Sequence, residues 1–426
     1  MIDWSKYPYK NPYSAGKPIR NEKMFFGRDE IFQKAHAHLV GEHPNHPIVI
    51  YGQRRMGKTS VLTQMERRLN AIFGEERYVT VLLDLQAFTL RGADNFWEQL
   101  AKYIQLRLRR YEALPKPDLT LFKTDAYLAF HHHFLPTVQR AIGERRLVLM
   151  FDECMRLEEV VAQKRLPKSI FDQFRSLMEQ ESHISFIYSL ATQVDTLLPE
   201  YQEMLKDALT LHVTFLNEKA AHALVTEPVA QFYQFDEQAI KSLLSFTGRH
   251  PYFTQAICKR LFFRWERQQF TRATLADVLA VLDKTTNSYM INLSYLWIEA
   301  TVAEKFVLAA IAEMEPDQAS VWTLDRHLRQ AGIYLNQEHI TACVQLRWKR
   351  ALKGLYQREV IDSPTHPRIN LGILRYWLRY DAALSSVRRK FREYLPPMPP
   401  ARQEPQIEPA LTLALTKPWV REPVRV

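Results

Sequence analysis

Glycine, cysteine and long apolar runs are all in short supply in this 426-residue sequence. Only twelve glycines are present, so few positions can turn without a Cβ, and any close pair of them carries weight. The three cysteines, Cys154, Cys258 and Cys343, are odd in number and far apart. That fits reduced thiols in a cytoplasm better than a disulfide framework. No apolar run approaches the roughly 20 residues of a membrane helix; "RLVLMF" (146–151) is six residues long. No membrane association is therefore expected. The opening "MIDWSKYPYK" has no apolar segment behind its charges, so no signal peptide is read.

What is present is a soluble-type composition, 46% hydrophobic and 24% charged, long enough for two to three domains. The net charge is +10. Between Arg326 and Leu395 fourteen Lys and Arg face five acids, a surplus of +9 that holds nearly the whole excess. Such a block is either the footprint of an anionic partner, DNA first, or a solvated helix face.

The first two hundred residues alternate apolar runs with helical patterns. "PIVIYG" (47–52), "YVTVLLDL" (78–85), "RLVLMF", "ISFIYSL" (184–190) and "LTLHVT" (209–214) read as buried strands, with helices near 58–71, 93–113, 124–143 and 168–181. Strands joined by such crossovers predict a parallel sheet flanked by helices. After 216 the pattern is helical, near 217–230, 236–246, 251–268 and 273–286. Helices near 302–313, 323–331 and 337–355, followed by the turn signals in "REVIDSPTHPRINLG", outline a winged helix. The last 31 residues carry eight prolines and read as an extended tail. The expected organisation is an N-terminal strap over 1–24, a core over 25–215, a helical lid over 216–290, a winged helix over 291–395 and the tail over 396–426.

Two of the scarce glycines stand five residues apart in "YGQRRMGKTS". Gly52, Gln53, Arg54, Arg55, Met56, Gly57, Lys58 and Thr59 fit G-x-x-x-x-G-K-[ST], the Walker A pattern, with Ser60 next in line. The glycines allow backbone N–H groups to turn inward around phosphate oxygens. Lys58 reaches the β- and γ-phosphates, Thr59 offers a hydroxyl to Mg²⁺, and the following helix points its positive end at the anion. A strand before and a helix after supply the required context. "RLVLMFDE" adds the second half of phosphoryl-transfer chemistry: Asp152 for the Mg²⁺ shell and Glu153 to orient or deprotonate water. ATP and Mg²⁺ are therefore the expected cofactors.

Over residues 10–385 the chain resembles the STAND branch of P-loop ATPases, relatives of AAA+ proteins and of origin-recognition ATPases. "FFGRDE" (25–30) is similar to the motif that precedes Walker A in that group, with Asp29 where Glu is usual. The resemblance puts Gly27, Arg28 and Asp29 beside the base and sugar. "FTGRHPYFTQAICKRLF" resembles the Gly-x-Pro signature of the helical domain, which implies that Pro251 touches adenine and His250 lies close by. Arg249 stands where a second glycine is usual. Among Ser189, Thr192 and Gln193, the resemblance favours Thr192 as a polar sensor. It also offers Arg175 as an arginine that a neighbouring subunit could present to the γ-phosphate, against the alternative of a solvated surface charge. In the winged helix, Arg347, Lys349, Arg350 and Lys353 share one helix and are the candidates for DNA contact.

Other constellations have plainer readings. The "HHH" at 131–133 lacks partners at ligand spacing, and successive helical residues point different ways, so it reads as packing rather than metal. Cys154 reads as a filler thiol. Trp4, Tyr7, Tyr9 and Tyr13 read as the aromatic strap. Two functions follow. One is a cytoplasmic, slowly hydrolysing ATP switch that controls self-association or docking of a protein partner, the tail included. The other is a DNA-binding ATPase acting through the basic block 326–395.

Overall fold

The computed structural model describes residues 10–72, 77–90, 92–109, 116–315, 318–333 and 343–391. The tail, most of the expected aromatic strap and the residues between 334 and 342 lie outside that range. The described chain falls into two compact units, one of residues 1–235 with 249–273 and one of 236–248 with 274–426. The span 216–290, expected as one lid, contributes to both. Glu218–Thr226 and Pro251–Gln268 belong to the first unit, Glu237–Thr247 and Leu275–Ile298 to the second.

The first unit is built on five parallel strands: β1 (Ile48–Tyr51), β2 (Tyr78–Asp84), β3 (Arg146–Asp152), β4 (Ile184–Leu190) and β5 (Leu209–His212). Their order is β2-β3-β4-β1-β5, with registers such as Ile50↔Ser189 and Phe151↔Tyr188. The expected parallel sheet flanked by helices is thus present. The strands read as continuous apolar runs because both sheet faces are covered. All seven residues of β4 are buried. On one face Phe151, Phe186 and Tyr188 pack with Phe96 and Trp97 of α3 (Ala93–Arg107). On the other, Ile50, Met150 and Ile187 pack against Phe32 of α1 (Asp29–Val40) and Leu62 and Met65 of α2 (Lys58–Ile72). Truncating one such side chain to alanine costs about 2–5 kcal/mol.

The expected helix over 124–143 is interrupted by a π-helical turn at Ala129–Phe134. The widened turn buries His131, whose Nε2 lies 2.8 Å from Glu181 Oε1, and leaves His132 and His133 exposed. Among the described residues, no three His, Cys, Asp or Glu side chains gather as a metal-ion site. None of the described helices is long and apolar enough to cross a membrane.

The described part of the strap is tied down at several points. Asn11 Nδ2 donates to Lys259 O, the buried Tyr13 hydroxyl to Val225 O, and Ser14 N to Gln255 Oε1. Farther on, Ile19 N donates to Ser60 Oγ, and Gln64 Nε2 to Ile19 O. The segment therefore runs from the helix Pro251–Gln268 to α2.

The second unit is helical. Its central helix, Val302–Glu313, buries Phe306 through Ala312, and Thr301 with Glu304 forms its capping box. The same Glu304, nearly buried, accepts from Arg358 at 2.6 Å. Helices Val321–Gln330 and Cys343–Gln357 follow, then an antiparallel bridge between Ile361 and Ile369. Asp362 N–H···O Arg368 and Asn370 N–H···O Val360 close that bridge. Arg350 and Lys353 are exposed on the Cys343–Gln357 helix, whereas the side chains of Arg347 and Lys349 lie outside the described residues.

Candidate functional site

The loop between β1 and α2 is shaped by one close approach: a Cβ on Gly52 would sit 2.1 Å from Val213 O, so only glycine fits. Gly57 has φ +98°, and Arg55 takes the left-handed region at φ +67°. Lys58, the first residue of α2, folds its ammonium back over the loop and donates to Gly52 O at 2.8 Å and Gln53 O at 2.9 Å. Burial holds its pKa down to about 8, against the upward pull of the Glu153 and Asp152 carboxylates. That mutual influence puts the ammonium within electrostatic reach of both acids, although Lys58 opens α2 and the acids follow about ninety residues later at the end of β3.

Asp152 ends β3, is 5% exposed, and accepts at Oδ1 from the Glu153 backbone N–H. No described cation lies within ion-pairing distance of it. A buried carboxylate without an ion pair needs a compensating charge, and Mg²⁺ binds through one or two carboxylates and hydroxyls beside phosphates. The Thr59 hydroxyl at the start of α2 has no partner among the described residues, so the pair Thr59 and Asp152 fits such an ion. Ser60 differs: its hydroxyl accepts from Ile19 N and belongs to the strap.

Glu153 adopts φ +56°, a strained turn held because Cys154 N donates to Ser189 O and Cys154 Sγ to Phe151 O. Cys154 thereby anchors the turn. Burial raises the Glu153 pKa, Asp152 raises it further, and Lys58 opposes both. Asp84, at the end of β2 in register with Asp152, adds to the rise and went unnoticed in the sequence, since only the strand pairing brings it there.

Beyond β4, the Thr192 hydroxyl lies 2.7 Å from that of Thr196 and closes a local turn. Ser189 behaves differently. Its hydroxyl is buried with no hydrogen-bond partner, on the strand paired to β1. Arg175 sits on the helix Ser169–Gln180 among Asp172, Glu179 and Glu203, at 3.5, 3.9 and 3.6 Å.

Around the other side of the loop, Arg28 caps α1 at φ +76° and donates to Met56 O, Thr214 O and Phe215 O. It clamps the loop to the segment after β5. Gly27 is needed because a Cβ there would come within 2.9 Å of Ala220 Cβ. Arg249 occupies the left-handed region at φ +59°, the conformation that a glycine would take most readily. His250 is fully buried and caps the helix Pro251–Gln268: Nδ1 accepts from Tyr252 N at 3.2 Å, while Nε2 has no partner. Burial, reinforced by the Arg28 and Arg55 charges, lowers its pKa to about 3. The Arg55 guanidinium stacks 4.3 Å above the Tyr252 ring. Gln53 Nε2, like His250 Nε2, is a buried polar atom without a partner. The structure thus brings Arg28, the 52–59 loop, Asp152, Glu153 and the start of the 251–268 helix to the carboxyl edge of the sheet. Arg175 is held elsewhere by its acids.

Residues 25–255 match a family described as an ATPase domain predominantly from Archaea. Among solved structures the chain is similar to a Walker-type ATPase of Pyrococcus abyssi, at 14% identity and a TM-score of 0.58, covering 85% of this chain and 99% of that one. It is also similar to the ORC1 protein of Aeropyrum pernix in complex with DNA, at 13% identity and a TM-score of 0.41 over 90% and 97% of the two chains. The Drosophila origin recognition complex bound to DNA aligns at 14% identity, a TM-score of 0.43 and coverage of 86% and 89%. Identities this low speak to fold alone. No curated protein matches the chain in sequence.

Proposed function

Because this chain belongs to the family of ATPase domains found predominantly in Archaea, we propose that it binds ATP with Mg²⁺ and hydrolyses it slowly, as a STAND- or AAA+-like switch. The observation that carries this reading is the Lys58 ammonium, folded over its own loop within electrostatic reach of Asp152 and Glu153. On nucleotide binding the ammonium exchanges its two carbonyl partners for phosphate oxygens. The loop N–H groups, among them those of Gln53 to Ser60, cradle the phosphates. Thr59 and Asp152 hold Mg²⁺, which supplies charge neutralisation at the phosphates. Glu153 takes the proton of the attacking water, a role suited to a carboxylate whose pKa stands above its usual range. Pro251 and the His250 edge border the base, and Arg28 with Gly27 forms the wall behind it. Thr192 or Ser189 senses the γ-phosphate, and the buried, unpartnered Ser189 hydroxyl favours Ser189. Arg175 serves a neighbouring subunit only after leaving its three acids.

Nucleotide state then governs self-association or docking of a protein partner, in which the tail 396–426 takes part. Thermal unfolding with and without Mg·ATP tests the first step: stabilisation in the parent chain and none in Lys58→Ala is expected, and indifference of the parent chain to ATP would sink the reading. Particle size with a non-hydrolysable analogue tests the second.

A second reading rests on the +9 block from 326 to 395 and on the exposed Arg350 and Lys353. Three helices followed by the Ile361–Ile369 bridge support a winged helix over 291–395, with the 343–357 helix against DNA. Binding that falls steeply with salt, and is lost on neutralising Arg347, Lys349 and Arg350, supports this function. Absence of binding at low salt removes it.

A further inference from the structure

At the amino edge of the sheet, where β2 and β3 begin, a cavity of about 490 Å³ opens between the end of α1 and the helix Leu135–Ile142. Its volume lies within the roughly 300–1,000 Å³ typical of small-molecule sites. Arg77, Arg145 and Arg146 all line it, and Glu144 is the one acid among the described lining residues. Leu39, Ile142 and the buried Tyr78 form an apolar wall beside them.

Arg146 is the informative member. It is half-buried, and its guanidinium donates to Asn45 Oδ1 and Ser185 Oγ, both at 3.2 Å and both neutral. No described carboxylate pairs with it. Burial presses its pKa downward, and the side-chain oxygens that accept from it among the described residues are neutral. Cations held this way are costly to the free protein and favour an anion that shares their hydrogen bonds.

We propose that this cavity binds a phosphate-bearing small anion of about mononucleotide size, its phosphate on Arg77, Arg145 and Arg146 and its ring or sugar against Leu39 and Ile142. The site lies at the opposite end of β3 from Asp152 and is independent of the nucleotide reading given above.

Calorimetric titration of the Lys58→Ala chain tests it, because that variant silences the loop at the other edge. AMP, pyrophosphate and a single-stranded hexanucleotide are the probes. AMP or pyrophosphate should bind saturably, with affinity falling about tenfold on loss of one charge-assisted contact in Arg146→Gln. Arg77→Gln, at an exposed position, should weaken binding in the same direction and leave the ATP-dependent stabilisation of the otherwise unaltered chain intact. It keeps the test open where Arg146→Gln does not fold. The ring resonances of His36, in edge contact with Tyr78, should shift on saturation. AMP binding with no pyrophosphate binding, or the reverse, identifies whether ring or phosphate dominates and supports the site either way. Failure of both small anions to bind Lys58→Ala, or binding unchanged by both arginine substitutions, overturns the proposal. So does a hexanucleotide that binds far more tightly than either, since that marks a nucleic-acid surface.

Discussion

The guanidinium of Arg55 lies 4.3 Å from the centre of the Tyr252 ring, which fastens the phosphate loop to the first turn of the helix Pro251–Gln268. Both residues belong to the same compact unit, so the contact is part of its architecture. A cation on an aromatic face at a partly exposed site is worth about 0.5–1 kcal/mol. Arg55→Ala, Tyr252→Ala and the double variant, compared by chemical denaturation, should return a coupling of that size. Additive losses would mean that the stacking is incidental.

Lys58 sets a pH dependence whose sign can be worked out. Its amine has a pKa of about 8 in the folded chain, below the ordinary lysine value of 10.5. Between those values the unfolded chain binds more protons, so stability rises with pH through the window from 8 to 10.5 and the ammonium is a burden below it. The burden is at most about 3 kcal/mol, reduced by solvent at the open side of the loop. Lys58→Met should therefore raise the nucleotide-free unfolding free energy at pH 7, measured by chemical denaturation, by about 1–3 kcal/mol while removing the response to ATP. In the parent chain, ATP affinity measured by calorimetry should weaken above pH 8, by up to about tenfold per pH unit, as the amine loses its proton before binding.

Glu153→Gln should retain the Mg·ATP-induced thermal shift and lose turnover by at least about 100-fold, the lower end for removal of a general base. Because burial and Asp152 raise the carboxyl's pKa, the acid limb of the rate profile should lie above the ordinary carboxylate range. A limb at the ordinary position would assign the base elsewhere.

His250 contributes to acid lability. With a pKa of about 3 when folded against the ordinary histidine value of 6.5, it takes up its proton only on unfolding as pH falls through that interval. Stability is unaffected above pH 6.5 and is lost progressively below it, by up to about 5 kcal/mol near pH 3. Asparagine is a good helix cap, so His250→Asn should preserve the helix start and move the acid-unfolding midpoint to lower pH. An unchanged midpoint by circular dichroism would show that other groups control acid unfolding.

The parallel sheet was legible because strands buried on both faces write themselves as unbroken apolar runs, as in "ISFIYSL", where every residue is covered. The loop was legible because its spacing is local: Gly52, Gly57 and Lys58 act within one turn of chain. What stayed hidden depends on distant partners. Arg28 is expected beside the base, but the sequence does not show that its guanidinium also clamps the loop through Met56 O and Thr214 O, the latter 186 residues away. Asp84 joins the acids only through the register of β2 with β3. The π-helical turn at Ala129–Phe134 left no trace in periodicity, since one widened turn shifts the pattern by a single residue. Helix Glu237–Thr247 has the same amphipathic signature as its neighbours, and nothing in that signature says which unit it joins.

The strap carries a consequence for synthesis. Tyr13, Ser14 and Asn11 hydrogen-bond to residues 212, 241 and 248 positions downstream, so this segment cannot dock fully during synthesis until the helix Pro251–Gln268 has emerged. At roughly 5–20 residues per second, that interval is on the order of tens of seconds. During it the aromatic Tyr13, destined for complete enclosure, stays in water. Translation speed ahead of Pro251 therefore sets how long the nascent chain must be shielded from its neighbours on the polysome.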